Sequence, residues 1–414
     1  MASISLTDTH SRGNFFRQTT LLNLRYWHAW LGNKTADIAT LDRERNRIIR
    51  GISFALDLGE AWPSVGELIV IFSPYMERRG HWDIWNGILN RAITVARQIK
   101  DGANETTLSA LLARLLFQQS CFKESVINYR RVIRLARQIG HSFNEARACS
   151  NLGYYYTEQG QWYRAEILCC HALQLFQQLG SDHGCAHTEN HLGILYTRQH
   201  RWEQARQHLE RACAVWQSIE DNHGLMRGFL NLGGLYNDME QPKEALIFLE
   251  KALHQAQLTG EEVISGRIYI NIGKACRLSG DLSEAKTYLK QAIAIFKQFS
   301  NLAELARAWN ELGLVYFQQG RWQEAILHLE NSLKAWQDLD NEVEEIEVLL
   351  DITECELIKG NQQEAGLRLK EAEYLIGRDQ KGGRHYRFQP RLTKYRRSLL
   401  TDSSTSYDRS RMTG

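Results

Sequence analysis

The densest run of chemically able side chains is Asp182, His183, Cys185, His187, Glu189 and His191. His187 and His191 stand four apart, which puts both imidazoles on one face of a helix, as a transition metal would need. The run is not HExxH, and no third ligand for that pair is evident, so no metal is expected. A solvated or ligand-facing row of histidines fits better. No Gly-x-Ser-x-Gly elbow, glycine-rich phosphate loop or paired-carboxylate motif occurs. Gly273-Lys274 lacks the earlier glycine of a P-loop. Enzyme activity and a cofactor are therefore not expected. The other chemically useful residues are spread out. Thr107, Arg147, His187, Arg227, Arg267, Arg307 and Glu347 recur at intervals of 40. Four residues on come Leu111, Asn151, His191, Asn231, Asn271, Glu311 and Asp351. Arginine offers a planar fork of donors suited to carboxylates. Asparagine offers a donor and an acceptor, which suits a peptide backbone. Such columns point to recognition rather than catalysis.

The elements that carry these columns follow from the same period. Asn151-Leu152-Gly153 returns as His191-Leu192-Gly193, Asn231-Leu232-Gly233, Asn271-Ile272-Gly273 and Glu311-Leu312-Gly313, each 40 residues on. A turn column reads Gly80, Ser120, Gly160, His200, Glu240, Gly280, Gly320 and Gly360. Two residues later Trp82, Trp162, Trp202 and Trp322 appear, and then Ala165, Ala205, Ala245, Ala285, Ala325 and Ala365. Cys149, Leu152, Gly153 and Tyr156 have helical spacing, as do Trp162, Ala165, Cys169, Ala172 and Phe176. Each unit is thus predicted to be two antiparallel helices. Small residues allow close approach while Trp and Tyr fill larger gaps, so Trp322→Ala should cost about 3–5 kcal/mol. One hairpin cannot bury both its faces, so stacked neighbours make the core continuous. Only 4 of the 414 residues are proline, which suits long helices.

The pattern W-x-x-A following L-G-x-x-Y resembles tetratricopeptide repeats, whose usual period is about 34 residues. The 40-residue form resembles the repeats of kinesin light chains and Leu-Gly-Asn-type G-protein-signalling modulators. It also resembles the sensor regions of bacterial signal-transduction ATPases of the STAND type. The segment LDRERNRIIRGISFALDLGEAW resembles the helix that opens such a sensor region, although the chain shows no ATPase motif. The resemblance implies an all-α, right-handed superhelical solenoid of antiparallel helix hairpins. It implies an organisation of four parts: a disordered 1–13, a helical cap at 14–61, about eight hairpins over 62–378, and a basic, partly disordered tail at 379–414. Residues 14–58 read as two helices joined near Gly32-Asn33-Lys34, and Pro74 as a kink in the first hairpin.

The resemblance also implies that the first helices line a concave groove. Its ligand-facing residues would be Arg147, Asn151, Tyr154, His187, His191, Arg227, Asn231, Arg267, Asn271, Arg307 and Asn310. Stacked helices lie ~8–10 Å apart and an extended chain advances ~3.3 Å per residue. The arginine column would then meet about one acidic group per three ligand residues. The expected function is a protein–protein interaction scaffold or sensor in signalling or complex assembly. Its expected partner is a peptide or protein segment, acidic and extended. The competing reading is that these arginines pair internally with Glu145, Glu262 or Glu304. A third reading is a small-peptide sensor that changes superhelical pitch on binding.

The formal charge of +2 hides an asymmetry. Residues 379–414 hold nine Lys/Arg against three Asp, a net of +6, which leaves −4 on the rest. Tyr386, Phe388 and Tyr395 interleave with those basic residues, so a nucleic-acid-associated regulator is the alternative function. Docking of this tail on the acidic body is the other reading. The eight cysteines show no CxxC and read as reduced thiols, most of them buried, which suggests a cytoplasmic protein. No run has the length of a signal peptide or a membrane span.

Overall fold

The computed structural model describes residues 6–32, 38–62, 64–378 and 383–409. Every regular element among them is a helix. The chain divides into two compact units, one of residues 1–118 and 123–148, the other of 119–122 and 149–414.

In the first unit, α1 (Leu6–Gly32) and α2 (Ile38–Ala55) are the two expected N-terminal helices; Asn33 and Lys34 lie outside the described residues. α1 begins before residue 14, because nothing from Leu6 to Ser11 breaks a helix and extension costs little once a nucleus exists. Residues 1–5 lie outside the description. A short 3-10 turn (Gly59–Ala61) leads into α3 (Ser64–Arg78), α4 (Trp82–Gln98), α5 (Gly102–Gln118) and α6 (Phe122–Ile139). α3 runs through Pro74 rather than ending there, and the Ser73 hydroxyl donates to the Ile69 carbonyl at 2.8 Å. Trp85 is fully buried, its ring T-shaped against Phe72 with 5.7 Å between ring centres.

α7 (Ser142–Glu158) passes from the first unit to the second. The second then contains α8 (Trp162–Gln178), α9 (Asp182–Arg198), α10 (Trp202–Ser218), α11 (Asn222–Asp238) and α12 (Pro242–Thr259). It continues with α13 (Glu262–Ser279), α14 (Leu282–Gln298), α15 (Leu302–Gln318), α16 (Trp322–Asp338), α17 (Glu342–Lys359), α18 (Gln362–Gly377) and α19 (Gly383–Arg409). These pack consecutively in pairs as a helical solenoid. The period fixes their boundaries. Ser181, Asp221, Asn301 and Asn341 each cap a first helix by accepting a backbone N–H. The turn column takes positive φ whatever its residue, 67° at Gly160 but also 58° at His200 and 57° at Glu240. A second such column, 20 residues out of phase, runs through Gly140, Gly180, Glu220, Gly260, Ser300 and Asp340.

The small columns bring the paired helices together. Ala205, Ala245, Ala285 and Ala325 are completely buried. At Gly193 an added Cβ would lie 2.6 Å from Leu209 Cδ2 and 3.3 Å from the Ala205 carbonyl oxygen, so only glycine lets α9 sit this close to α10. The tryptophan column behaves differently from the expectation. Trp162, Trp202 and Trp322 are only half-buried, and in this unit it is Trp216 and Trp336 that fill the interior. The core continues from Met226 to Tyr395.

The period also continues past the eight expected hairpins. Phe388, Leu392 and Tyr395 of α19 are buried 40 residues after Val348, Ile352 and Cys355. α19 thus packs as the first helix of a further hairpin, and it spans Gly383–Arg409 where a partly disordered tail was expected. None of the eight cysteines forms a disulfide; five are buried, while Cys121 and Cys170 are exposed. No helix among the described residues is long and apolar enough to cross a membrane.

Candidate ligand-binding cavity

In the second unit, the helix face opposite the core column points inward. On α9 it carries Ile194, Thr197 and Arg198; on α13 it carries Arg267, Asn271 and Lys274. These i, i+3, i+4, i+7 stripes line a cavity of about 270 Å³ with residues of α7, α11, α15, α16 and α17. The cavity is closed by contacts far apart in sequence. Glu158, at the end of α7, pairs with Arg307 on α15, 149 residues later. Arg198 lies 3.5 Å from both Glu158 and Glu344.

Of the residues expected to face a ligand, Tyr154, Asn231, Arg267, Asn271, Arg307 and Asn310 line this cavity. The asparagines already have partners. Asn231 Nδ2 donates to Asn190 Oδ1 at 2.7 Å, Asn271 Nδ2 to the Arg267 carbonyl at 3.0 Å, and Asn310 Nδ2 to Asp351 Oδ2 at 3.2 Å. The arginines are also engaged. Arg267 Nε is 2.8 Å from Glu304 Oε1, and Arg307 Nη1 donates to the same oxygen at 3.1 Å. Glu304 was one of the three internal partners considered for this column. Glu145, another, lies in the first unit and accepts from Arg137 at 2.7 Å.

The other expected residues sit elsewhere. Arg147 belongs to the first unit, where its guanidinium reaches the Thr107 carbonyl at 3.4 Å and lies 6.0 Å from the Phe143 ring. Burial and the nearby Arg114 pull its pKa down to about 10. His191 is buried rather than solvated. Its Nδ1 lies 2.9 Å from Ser150 Oγ and its ring stacks on Tyr154 at 5.0 Å. Burial and the charge of Arg227 push it down to about 3, so it is neutral at ordinary pH. His187 packs edge-on to Trp216 at 5.3 Å, and Asn151 and Arg227 are half-buried on α7 and α11.

The cavity wall carries charges of both signs. Glu158, Asp238, Glu304, Glu311 and Glu344 face Arg198, Arg267, Lys274 and Arg307, so five acids meet four bases and the wall is not a basic groove. Lys274 Nζ is 2.5 Å from Asp238, and Arg277 reaches Glu311 at 3.0 Å. Burial alone would raise the Glu158 carboxyl, yet Arg198 and Arg307 hold it down at about 2. Burial likewise opposes the charge on Asp238, and Lys274 outweighs it. Burial raises the Tyr154 hydroxyl, with Glu158 adding to the effect.

The basic C-terminal segment docks on acidic residues of the unit. Arg387 donates to Glu347 at 2.6 Å, Arg391 to Glu347 at 3.0 Å and to Asp351 at 2.7 Å, and Lys394 to Glu354 at 2.7 Å. Arg396 reaches Glu373 at 2.6 Å. Burial raises Asp351, whereas in Glu347 the effect of burial is outweighed by Arg387 and Arg391.

No curated protein matches this chain in sequence. Among solved structures, a Rap protein in complex with competence and sporulation factor is similar at 15% identity, with a TM-score of 0.55 over 81% of this chain and 98% of that one. Aspartyl phosphate phosphatase F from Bacillus subtilis is similar at 12% identity, with a TM-score of 0.53 over 92% of this chain and 97% of that one. A STAND protein with a tetratricopeptide repeat sensor from Pyrococcus horikoshii shares 13% identity, with a TM-score of 0.47 over 78% of this chain and 53% of that one. At these identities the likeness is one of fold. The tetratricopeptide repeat model matches residues 144–218, 225–298 and 304–373, just over half of the 414 residues. With paired helices, a capped 40-residue period and an inward-facing first-helix stripe in agreement with that match, the chain belongs to the tetratricopeptide repeat family.

Proposed function

We propose that the second unit is a sensor or scaffold module that takes a peptide segment into its cavity. One observation carries this reading: Asn231, Asn271 and Asn310 face one cavity from three successive hairpins, each able to trade an internal hydrogen bond for one to a peptide backbone. The Rap protein similar in fold was solved with a bound factor, which supports a ligand role for this architecture.

The balanced wall changes the expected ligand. Every cavity base has an acidic neighbour, so a ligand carboxylate gains only what it takes from Glu158, Glu304 or Glu344. A segment carrying both charge signs exchanges pairs on both sides and leaves no buried charge alone. The cavity of about 270 Å³ is partly open rather than sealed. A longer segment that passes between α7 and α15 displaces the Glu158–Arg307 pair. Opening alters the pitch of the repeats, which gives the module a way to signal. The nucleic-acid alternative loses its basic row, because Arg387, Arg391, Lys394 and Arg396 are paired with acids of the same unit.

The test compares ligand capture from the native host by the wild-type chain and by the Asn231→Ala, Asn271→Ala double variant, with folding checked by circular dichroism. The reading expects capture to be lost while the fold is kept. Equal capture by a folded double variant contradicts it.

A further inference from the structure

The histidine run of α9 is sorted by the fold in a way the spacing of His187 and His191 does not suggest. His191 turns to Ser150 and Tyr154. His183 and His187, also four apart, instead converge on Asp221 at the start of α11. One ligand atom from each of the three lies within 4.8 Å of the others.

Each of the three is held for a reason. Asp221 Oδ1 accepts the Gly224 backbone N–H at 2.9 Å as the helix cap, which fixes the carboxylate and turns Oδ2 to within 3.1 Å of His183 Nε2. His187 is pinned by the edge of Trp216 and lies 4.6 Å, ring to ring, from His183. His183 is the adjustable member, with a side chain 60% exposed. Tetrahedral bonds of about 2.0–2.2 Å place ligand atoms about 3.3–3.6 Å apart, so closing the site needs a movement of about 1 Å.

We propose that His183, His187 and Asp221 form a binding site for a divalent transition-metal ion of the zinc type, with a further coordination position open to solvent beside His183. Two imidazoles and one carboxylate suit Zn²⁺, Co²⁺, Ni²⁺ or Cu²⁺; Mg²⁺ and Ca²⁺ favour all-oxygen shells. The bound ion ties α9 to α11, the first helices of consecutive hairpins, and so stiffens the repeat stack. Arg227 lies close enough to act on His187, and its charge works against the ion. The site is independent of the peptide reading above, and either can fail alone.

The test titrates the tag-free full chain with Co²⁺, followed by visible absorption, and then displaces it with Zn²⁺. One equivalent is expected to bind, with d–d bands of a four- or five-coordinate ion. His183→Gln and His187→Gln should each weaken binding on the order of 100-fold, and Asp221→Asn, which still caps α11, about tenfold. His254→Gln, an exposed histidine on α12, should leave it unchanged. Zn²⁺ should raise the thermal midpoint of the wild type and not that of His183→Gln. Absence of a saturable site, or an undiminished affinity in folded His183→Gln, overturns the proposal.

Discussion

Replacing Glu158 by Gln tests the closure of the second unit. The Glu158 side chain is 8% exposed and contacts Arg198 and Arg307. Breaking a buried pair outright costs about 3–5 kcal/mol. Here Arg307 keeps Glu304 at 3.1 Å and Glu344 at 3.8 Å, and Arg198 keeps Glu344 at 3.5 Å. Those remaining partners reduce the loss to about 2–3 kcal/mol. The proton equilibrium leads to a similar figure. A carboxyl held at about 2 against its ordinary value of 4.5 corresponds to about 3 kcal/mol. Because the folded carboxyl binds its proton less readily than the unfolded one, this contribution is complete above pH 4.5 and is lost as the pH falls towards 2. Glutamine cannot titrate, so the gap between wild type and variant should narrow below pH 4.5. Urea melts followed by circular dichroism at pH 7 and pH 3.5 measure both quantities. A variant within about 0.5 kcal/mol of wild type at pH 7, with a gap that does not change with pH, refutes the closure.

Two further outcomes follow from packing and turns. Trp336 is fully buried, with Arg307 5.7 Å above its ring, so Trp336→Ala should cost about 3–5 kcal/mol. Half-buried Trp322 should cost about half as much when changed to Ala, and thermal melts of the two variants rank them. Glu240 is exposed and has φ of 57°, so Glu240→Gly should stabilise by about 0.5–1 kcal/mol, read as a higher urea midpoint.

The hairpins were legible because the same residue types return every 40 positions. Leu152, Leu192 and Leu232 mark the buried face of the first helix, and Ala165, Ala205 and Ala245 mark that of the second. The inward stripe was half legible. Asn231 and Asn271 stand in a column kept mostly as asparagine, whereas Glu158 and Asp238 share theirs with Arg198, and Glu304 and Glu344 share theirs with Gly184, Gly224 and Ile264. A reading by columns retains the arginines and discards the acids that neutralise them. The Glu158–Arg307 pair depends on the curvature accumulated over four hairpins, which no local pattern encodes. Leu392 does continue the column of Ile352, but the basic residues around it look like a tail until Glu347, Asp351 and Glu354 are seen opposite them. The second left-handed column was present as Gly140, Gly180 and Gly260, masked by Glu220, Ser300 and Asp340 at the same position.

The central claim is that the inward face of the second unit is where a partner binds. A photo-crosslinking amino acid placed at Asn271, inside the cavity, and in a separate protein at Tyr163, whose side chain is exposed on α8, tests it in the native host. The account predicts a discrete peptide or protein adduct from position 271 and none of the same mass from position 163. An adduct from position 163 alone, or no adduct from position 271 in a folded protein, contradicts it.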